Sequence, residues 1–126
     1  MPAPRPVDPV ELRSALVAVS AWLSGEAGEP GRPELAAAVK LSLRTLARDA
    51  PGKSVEVRVP PFAAVQCVEG PRHTRGTPPN VIETDPRTWL ELATGRLEWT
   101  VAVREGRVTA SGTRADLAPW LPIVRL

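Results

Sequence analysis

The strongest constraint on this chain is a change of apolar period at residues 49–59. Upstream, apolar residues recur at helical spacing: Leu12, Leu16, Val19 and Leu23, then Leu35, Val39, Leu43 and Leu46. After Asp49-Ala50-Pro51-Gly52 the period drops to two, with Val55, Val57 and Val59 alternating with Glu56 and Arg58. A chain of 126 residues that opens on two amphipathic helices and then turns to strands has room for one core, so helices and sheet must share it. The implied fold class is α+β.

The local signals divide the chain further. Residues 1–7 hold three prolines and read as a loose tail. Asp8-Pro9-Val10-Glu11 opens the first helix, with Asp8 as N-cap, Pro9 in the first position and Glu11 placed to close a capping box. Trp22 flanks its stripe and Gly25 is placed to end it; 26–32 is a loop, and the second helix starts near Pro33. Pro60-Pro61 turns the chain into a second strand, Phe62 to Val68, whose nearly unbroken apolar run suits cover on both faces. A loop from Glu69 to Asn80 precedes a short strand at Val81 and Ile82. Asp85-Pro86 repeats the first cap and starts a helix that stops at Gly95. Trp99, Val101 and Val103 predict a fourth strand, Glu105-Gly106 a hairpin turn, and Val108 and Ala110 a fifth strand. A last helix is expected from about Thr113, carrying Leu117, Trp120 and Leu121. The expected order is αα-βββ-α-ββ-α, with a five-stranded mixed sheet covered by helices.

Several function classes are disfavoured by what the chain lacks. Its formal charge is +2, acidic and basic residues are interspersed, and it has no tyrosine and one phenylalanine, so nucleic acid is not an expected partner. Cys67 is its one cysteine and His73 its one histidine, which leaves no Cys-based zinc site and no complete nucleophile–histidine–acid constellation. No metal, cofactor or catalytic residue is expected, and the chain is not read as an enzyme. No signal-peptide pattern or membrane-length apolar run is visible, so the expected location is cytoplasmic.

The segment from Asp85 to Leu97, followed by Ala102, Gly106-Arg107-Val108, Ser111-Gly112 and Leu117, resembles the closing half of the sterol carrier protein family. The likeness covers roughly 40 residues, glycines 95, 106 and 112 included, while the run from Val55 through Val65-Gln66-Cys67-Val68-Glu69-Gly70 is similar to a bacterial single-domain subgroup. The resemblance implies a single sterol-carrier-like domain over residues 8–126. It also implies an apolar cavity between sheet and helices for a hydrophobic small molecule: a fatty acid, an acyl-CoA or a similar lipid. The expected walls are Phe62, Ala64, Val65, Trp89, Leu92, Val101, Val103, Leu117, Trp120 and Leu121, residues that equally well pack a core. The terminal segment with Trp120 and Leu121 is free to act as a lid. Arg72, His73 and Arg75 form the expected anion-binding group for a ligand head, as guanidinium groups grip carboxylate or phosphate bidentately; a solvated loop is the other reading. The rival function is that of an accessory subunit, lending an arginine-bearing surface to a mycothiol-dependent or other enzyme. A homodimer or an enzyme partner is left open.

Overall fold

The computed structural model describes residues 6–70 and 79–126. Two helices come first, α1 (Pro9–Leu23) and α2 (Arg32–Asp49). Strands β1 (Val55–Val59), β2 (Ala63–Cys67) and β3 (Asn80–Thr84) follow, then helices α3 (Pro86–Ala93) and α4 (Trp99–Arg104) and strand β4 (Val108–Ser111). A single 3-10 turn at Ala118–Trp120 leads into an extended C-terminal strap.

Among the described residues the sheet has four strands in the order β2-β1-β3-β4. β1 pairs antiparallel with β2 and parallel with β3, and β3 pairs antiparallel with β4. Val55, Val57 and Val59 of β1 and Ile82 of β3 face the helices and are buried. The other face carries Glu56, Arg58, Gln66, Glu83 and Thr109, a polar surface of the kind a one-sided sheet shows to water. β2 is an edge strand, and its Ala64 and Gln66 are exposed, so the cover on both faces expected for it is absent.

The α+β class stands, but the fifth strand does not. Residues 99–104 are helical, because the pattern there admits either period. Trp99 and Ala102, three apart, are the buried pair, while Val103 is 40% exposed. Gly106 was rightly placed at a turn, but the turn ends a helix. At φ +73° it lets Arg107 N–H reach Ala102 O at 2.9 Å and its own N–H reach Val103 O at 3.1 Å. That is the paired bonding of a Schellman motif, which also closes α1 at Gly25 and α3 at Gly95.

The expected terminal helix is likewise absent. Pro119 and Pro122 cannot donate the bonds that a helix there would need, so the chain makes one tight turn and then runs extended. Its amides are used elsewhere. Ile123 and Val124 donate to Ala93 O at 2.8 and 3.0 Å, and Leu126 donates to Thr94 O at 3.1 Å. The strap thereby satisfies carbonyls that the C-terminus of α3 leaves without helical partners.

Both Asp-Pro N-caps form, while the capping box expected from Glu11 has no described hydrogen bond. Asp8 Oδ1 accepts from Val10 N–H at 2.9 Å, and Asp85 Oδ2 accepts from Thr88 N–H at 3.0 Å. The core stripe of α1 is Leu12, Leu16, Val19 and Leu23, all buried against α2 and α3.

Candidate functional site

Where α3 ends, the chain turns at Gly95 and runs through Leu97 into α4. The strap crosses back over this corner. Between them lies a cleft of about 280 Å³. Leu92 forms its floor, Leu97 and Trp99 one wall, and Leu121 and Pro122 of the strap the other. Glu98, Thr100 and Arg125 give the mouth its polar groups.

Arg125 is seated by the absence of a side chain at Gly95. A Cβ at that position would stand 3.1 Å from the guanidinium Nη1. The cation therefore lies beside the C-terminus of α3, the negative end of a helix dipole. Neither Arg125 nor Glu98 takes part in a described ion pair.

The expected wall residues are distributed over the molecule. Leu92 and Leu121 meet in the cleft. Trp89 and Leu117 are fully buried. The Trp89 indole N–H donates to Ser42 Oγ at 2.8 Å, and Ser42 in turn donates to Ala38 O, so this ring is tied into the α2–α3 contact. Val101 is half-buried on α4, Val103 is exposed beside it, and Trp120 is half-buried just before the strap. Phe62, Ala64 and Val65 stand on or beside β2, at the opposite sheet edge from β4, which is the strand α4 packs on. The Phe62 ring there lies under Arg32, with the guanidinium carbon 5.2 Å from its centroid. Arg72, His73 and Arg75 fall outside the described residues.

Leu97, Glu98, Thr100, Pro122 and Arg125 line the cleft without having been singled out in the sequence. They sit in a turn, on a helix whose period is ambiguous and in a proline-broken tail, so no periodic signal marks them.

Among the described residues a cluster of paired charges runs along α3 from Asp85 to Glu91. Glu91 accepts from Arg87 Nε at 3.0 Å and from Arg107 Nη2 at 2.7 Å. Arg87 Nη2 also donates to the carbonyls of Trp22 and Leu23 at 3.3 and 3.2 Å, and its guanidinium stacks on the Trp22 ring at 4.8 Å. The last turn of α1 has no cation of its own, so Arg87 supplies one. Arg107 donates to the Thr88 hydroxyl, which donates onward to Asp85 Oδ1 at 2.7 Å. Burial pushes the Asp85 carboxyl upward, but the Thr88 and backbone hydrogen bonds and the Arg107 charge outweigh it and hold its pKa below the ordinary value. Each charged group here is paired within the fold, which is what a structural clasp requires.

Burial pushes the Cys67 thiol up to about 11, so it is a packing residue and a poor nucleophile. Among the described residues no group of three or more His, Cys, Asp or Glu side chains is arranged to hold a metal ion. Nor is any described helix long and apolar enough to cross a membrane.

A comparison with protein families matches residues 31–123 to the family described as bacterial SCP ortholog. The chain belongs to that family. The match takes in α2, the whole sheet, α3, α4 and the first half of the strap, and it leaves α1 outside. Comparison with curated proteins found no match.

Proposed function

We propose that this protein is a carrier of a hydrophobic ligand with a polar head, such as a fatty acid, an acyl-CoA or a similar lipid, and that it performs no catalysis on it. The cleft under the strap is the observation that carries this reading. It sets the apolar side chains of Leu92, Leu97, Trp99 and Leu121 beside Glu98, Thr100 and Arg125, and more than half of its lining surface is polar, which suits a ligand with a polar head. Apart from Arg125, its lining residues lie in the part of the chain matched to the family. In this reading the tail of the ligand lies against Leu92, Leu97, Trp99 and Leu121, and its head lies near Arg125.

At about 280 Å³ the cleft is at the small end for a ligand pocket. A long acyl chain therefore enters by lifting the strap. The three backbone bonds that hold the strap to α3 are each worth about 1 kcal/mol net. Each methylene that enters the apolar walls returns about 0.8 kcal/mol, so a chain of several carbons offsets their loss.

The test is a titration of delipidated protein with fatty acids of increasing length, followed by tryptophan fluorescence, alongside native mass spectrometry of protein from its own host. Affinity rises with chain length, and Thr100→Trp, which fills the mouth from an exposed position, weakens it about tenfold without lowering the melting temperature. Saturable binding that ignores chain length, or that Thr100→Trp leaves intact, refutes this site. Absence of binding at every length, with no lipid co-purifying, refutes the carrier reading itself.

A further inference from the structure

α1 uses one of its faces in the core and leaves another unused. Val10 and Val17, two of the large hydrophobic side chains the fold leaves exposed, stand seven residues apart on it at 75% and 52% exposure. Ser14 lies between them, and Ala18 and Ala21 extend the same outer surface, all exposed. The spacing 10, 14, 17, 21 is that of a helix–helix seam. A groove of about 480 Å³ runs along one side of this ridge, between α1 and α2, with Val10, Ala15, Ala18, Ala37 and Leu41 in its floor.

The charge around that groove has one sign. Among the described residues Asp8, Glu11 and Glu34 line it, and no lysine or arginine does. None of the three takes part in a described ion pair. Arg13 stands on the other side of the ridge, bordering a second, shallower depression with Pro9, Val10, Ser14 and Val17.

We propose that the α1–α2 groove is a docking surface for an amphipathic helix of a partner protein, one whose apolar stripe is flanked by lysine or arginine. The floor supplies the apolar contact, and the three carboxylates select basic flanks and repel acidic ones. A second copy of this chain does not meet those needs. A second α1 offers the groove Asp8 and Glu11, with Glu26 and Glu29 just beyond it, against one cation of its own, Arg13, so a second copy brings mostly like charge. Anionic surfaces are excluded by the same charges. The surface is separate from the cleft under the strap, and its α1 side lies outside the residues matched to the family, while Glu34, Ala37 and Leu41 lie within them.

The test uses two synthetic peptides with the same leucine stripe at helical spacing, one with lysine flanks and one with glutamate flanks. Each is titrated into isotope-labelled full-length protein. The lysine peptide saturates and shifts the amides of Val10, Ser14, Val17, Ala18 and Ala37, while the glutamate peptide binds at least about tenfold more weakly. Added salt narrows that difference. Ala18→Arg, at an exposed position that lines the groove, weakens the lysine peptide about tenfold. The substitution lies on the exposed face, and circular dichroism checks that the fold is kept. Glu11→Gln with Glu34→Gln reads the charge term independently, should the first variant unfold. Equal affinity for the two peptides, no saturation by the lysine peptide, shifts that map elsewhere, or self-association through these residues without peptide would each overturn the proposal.

Discussion

Asn80 ties three segments together with one side chain, and replacing it tests how the sheet is anchored. Its Nδ2 donates to Ser54 O at 2.8 Å, at the start of β1, and its Oδ1 accepts from Arg114 N–H at 2.9 Å, beyond β4. The residue itself is 2% exposed. Asn80→Ala leaves the buried Ser54 carbonyl without its donor, a cost of about 1–3 kcal/mol, and removes a second bond worth about 1 kcal/mol. The sum, about 2–4 kcal/mol, lowers the melting temperature of a chain this size by roughly 10 °C. Asn80→Asp separates the two bonds. Its carboxylate still accepts from Arg114 but faces the Ser54 carbonyl with no proton to give, so its folded-state pKa is raised. The stability it contributes is then present below the ordinary carboxylate range and is lost as pH rises through the folded value. Urea unfolding at acid and neutral pH measures this: Asn80→Asp should approach the native protein in acid and match Asn80→Ala at neutral pH. If Asn80→Ala costs less than about 0.5 kcal/mol, or Asn80→Asp shows no pH dependence relative to the native chain, the pin is not what anchors β1 to β3.

Three further outcomes are expected. Cys67, buried with its pKa raised to about 11, should resist alkylation near pH 8 in the native protein and react at once in urea. Asp85 has a lowered folded-state pKa, so its contribution is present above the ordinary carboxylate value and is lost as pH falls through the folded one. Asp85→Asn should therefore be less stable at neutral pH and lose less stability on acidification, as read from urea midpoints across that range. Glu91→Gln weakens the bonds from Arg87 and Arg107 at a side chain only 13% exposed and should cost about 1–2 kcal/mol in equilibrium unfolding. The Arg107→Leu change should cost much less in that background than in the native one.

The sequence was most legible where one physical cause dominates. Asp8 and Asp85 cap helices because their carboxylates meet free amides, and Val55, Val57 and Val59 alternate because one face of their strand is buried. It was least legible at Trp99–Arg104, where a six-residue run satisfies both periods and the decision falls to Ala102, a small residue that periodicity discounts but that is fully buried. Gly112 shows a residue whose place was legible and whose reason was not. At φ +102°, it leaves room where a Cβ would lie 2.1 Å from Asn80 Oδ1, a contact across 32 positions of sequence. The cleft was legible only in part for the same reason. Leu92 and Leu121 were within reach of pattern reading, but Arg125 matters through Gly95, a neighbour that only the folded chain supplies.

The body of α3 and its C-terminal end are held in different ways, and this bears on how a ligand could be admitted. Along its body, from Arg87 to Glu91, the helix is bound by side chains to the end of α1 and to Arg107 just before β4, and Trp89 is pinned to α2 through Ser42. Moving that part would break charge-assisted bonds at half-buried positions, the costlier kind. At its C-terminal end the helix is bound to the strap by three backbone bonds, and the strap side chains beside the cleft are at most half-buried. Segments with few buried contacts are the first to open. The strap is therefore expected to open before α3 does. Amide hydrogen exchange should show Ile123, Val124 and Leu126 exchanging well ahead of the α3 amides of Trp89 and Leu90. Added fatty acid should slow the strap amides if it binds beneath them. Equal protection of strap and helix would mean that the two open together, and a ligand would then have to enter by another route.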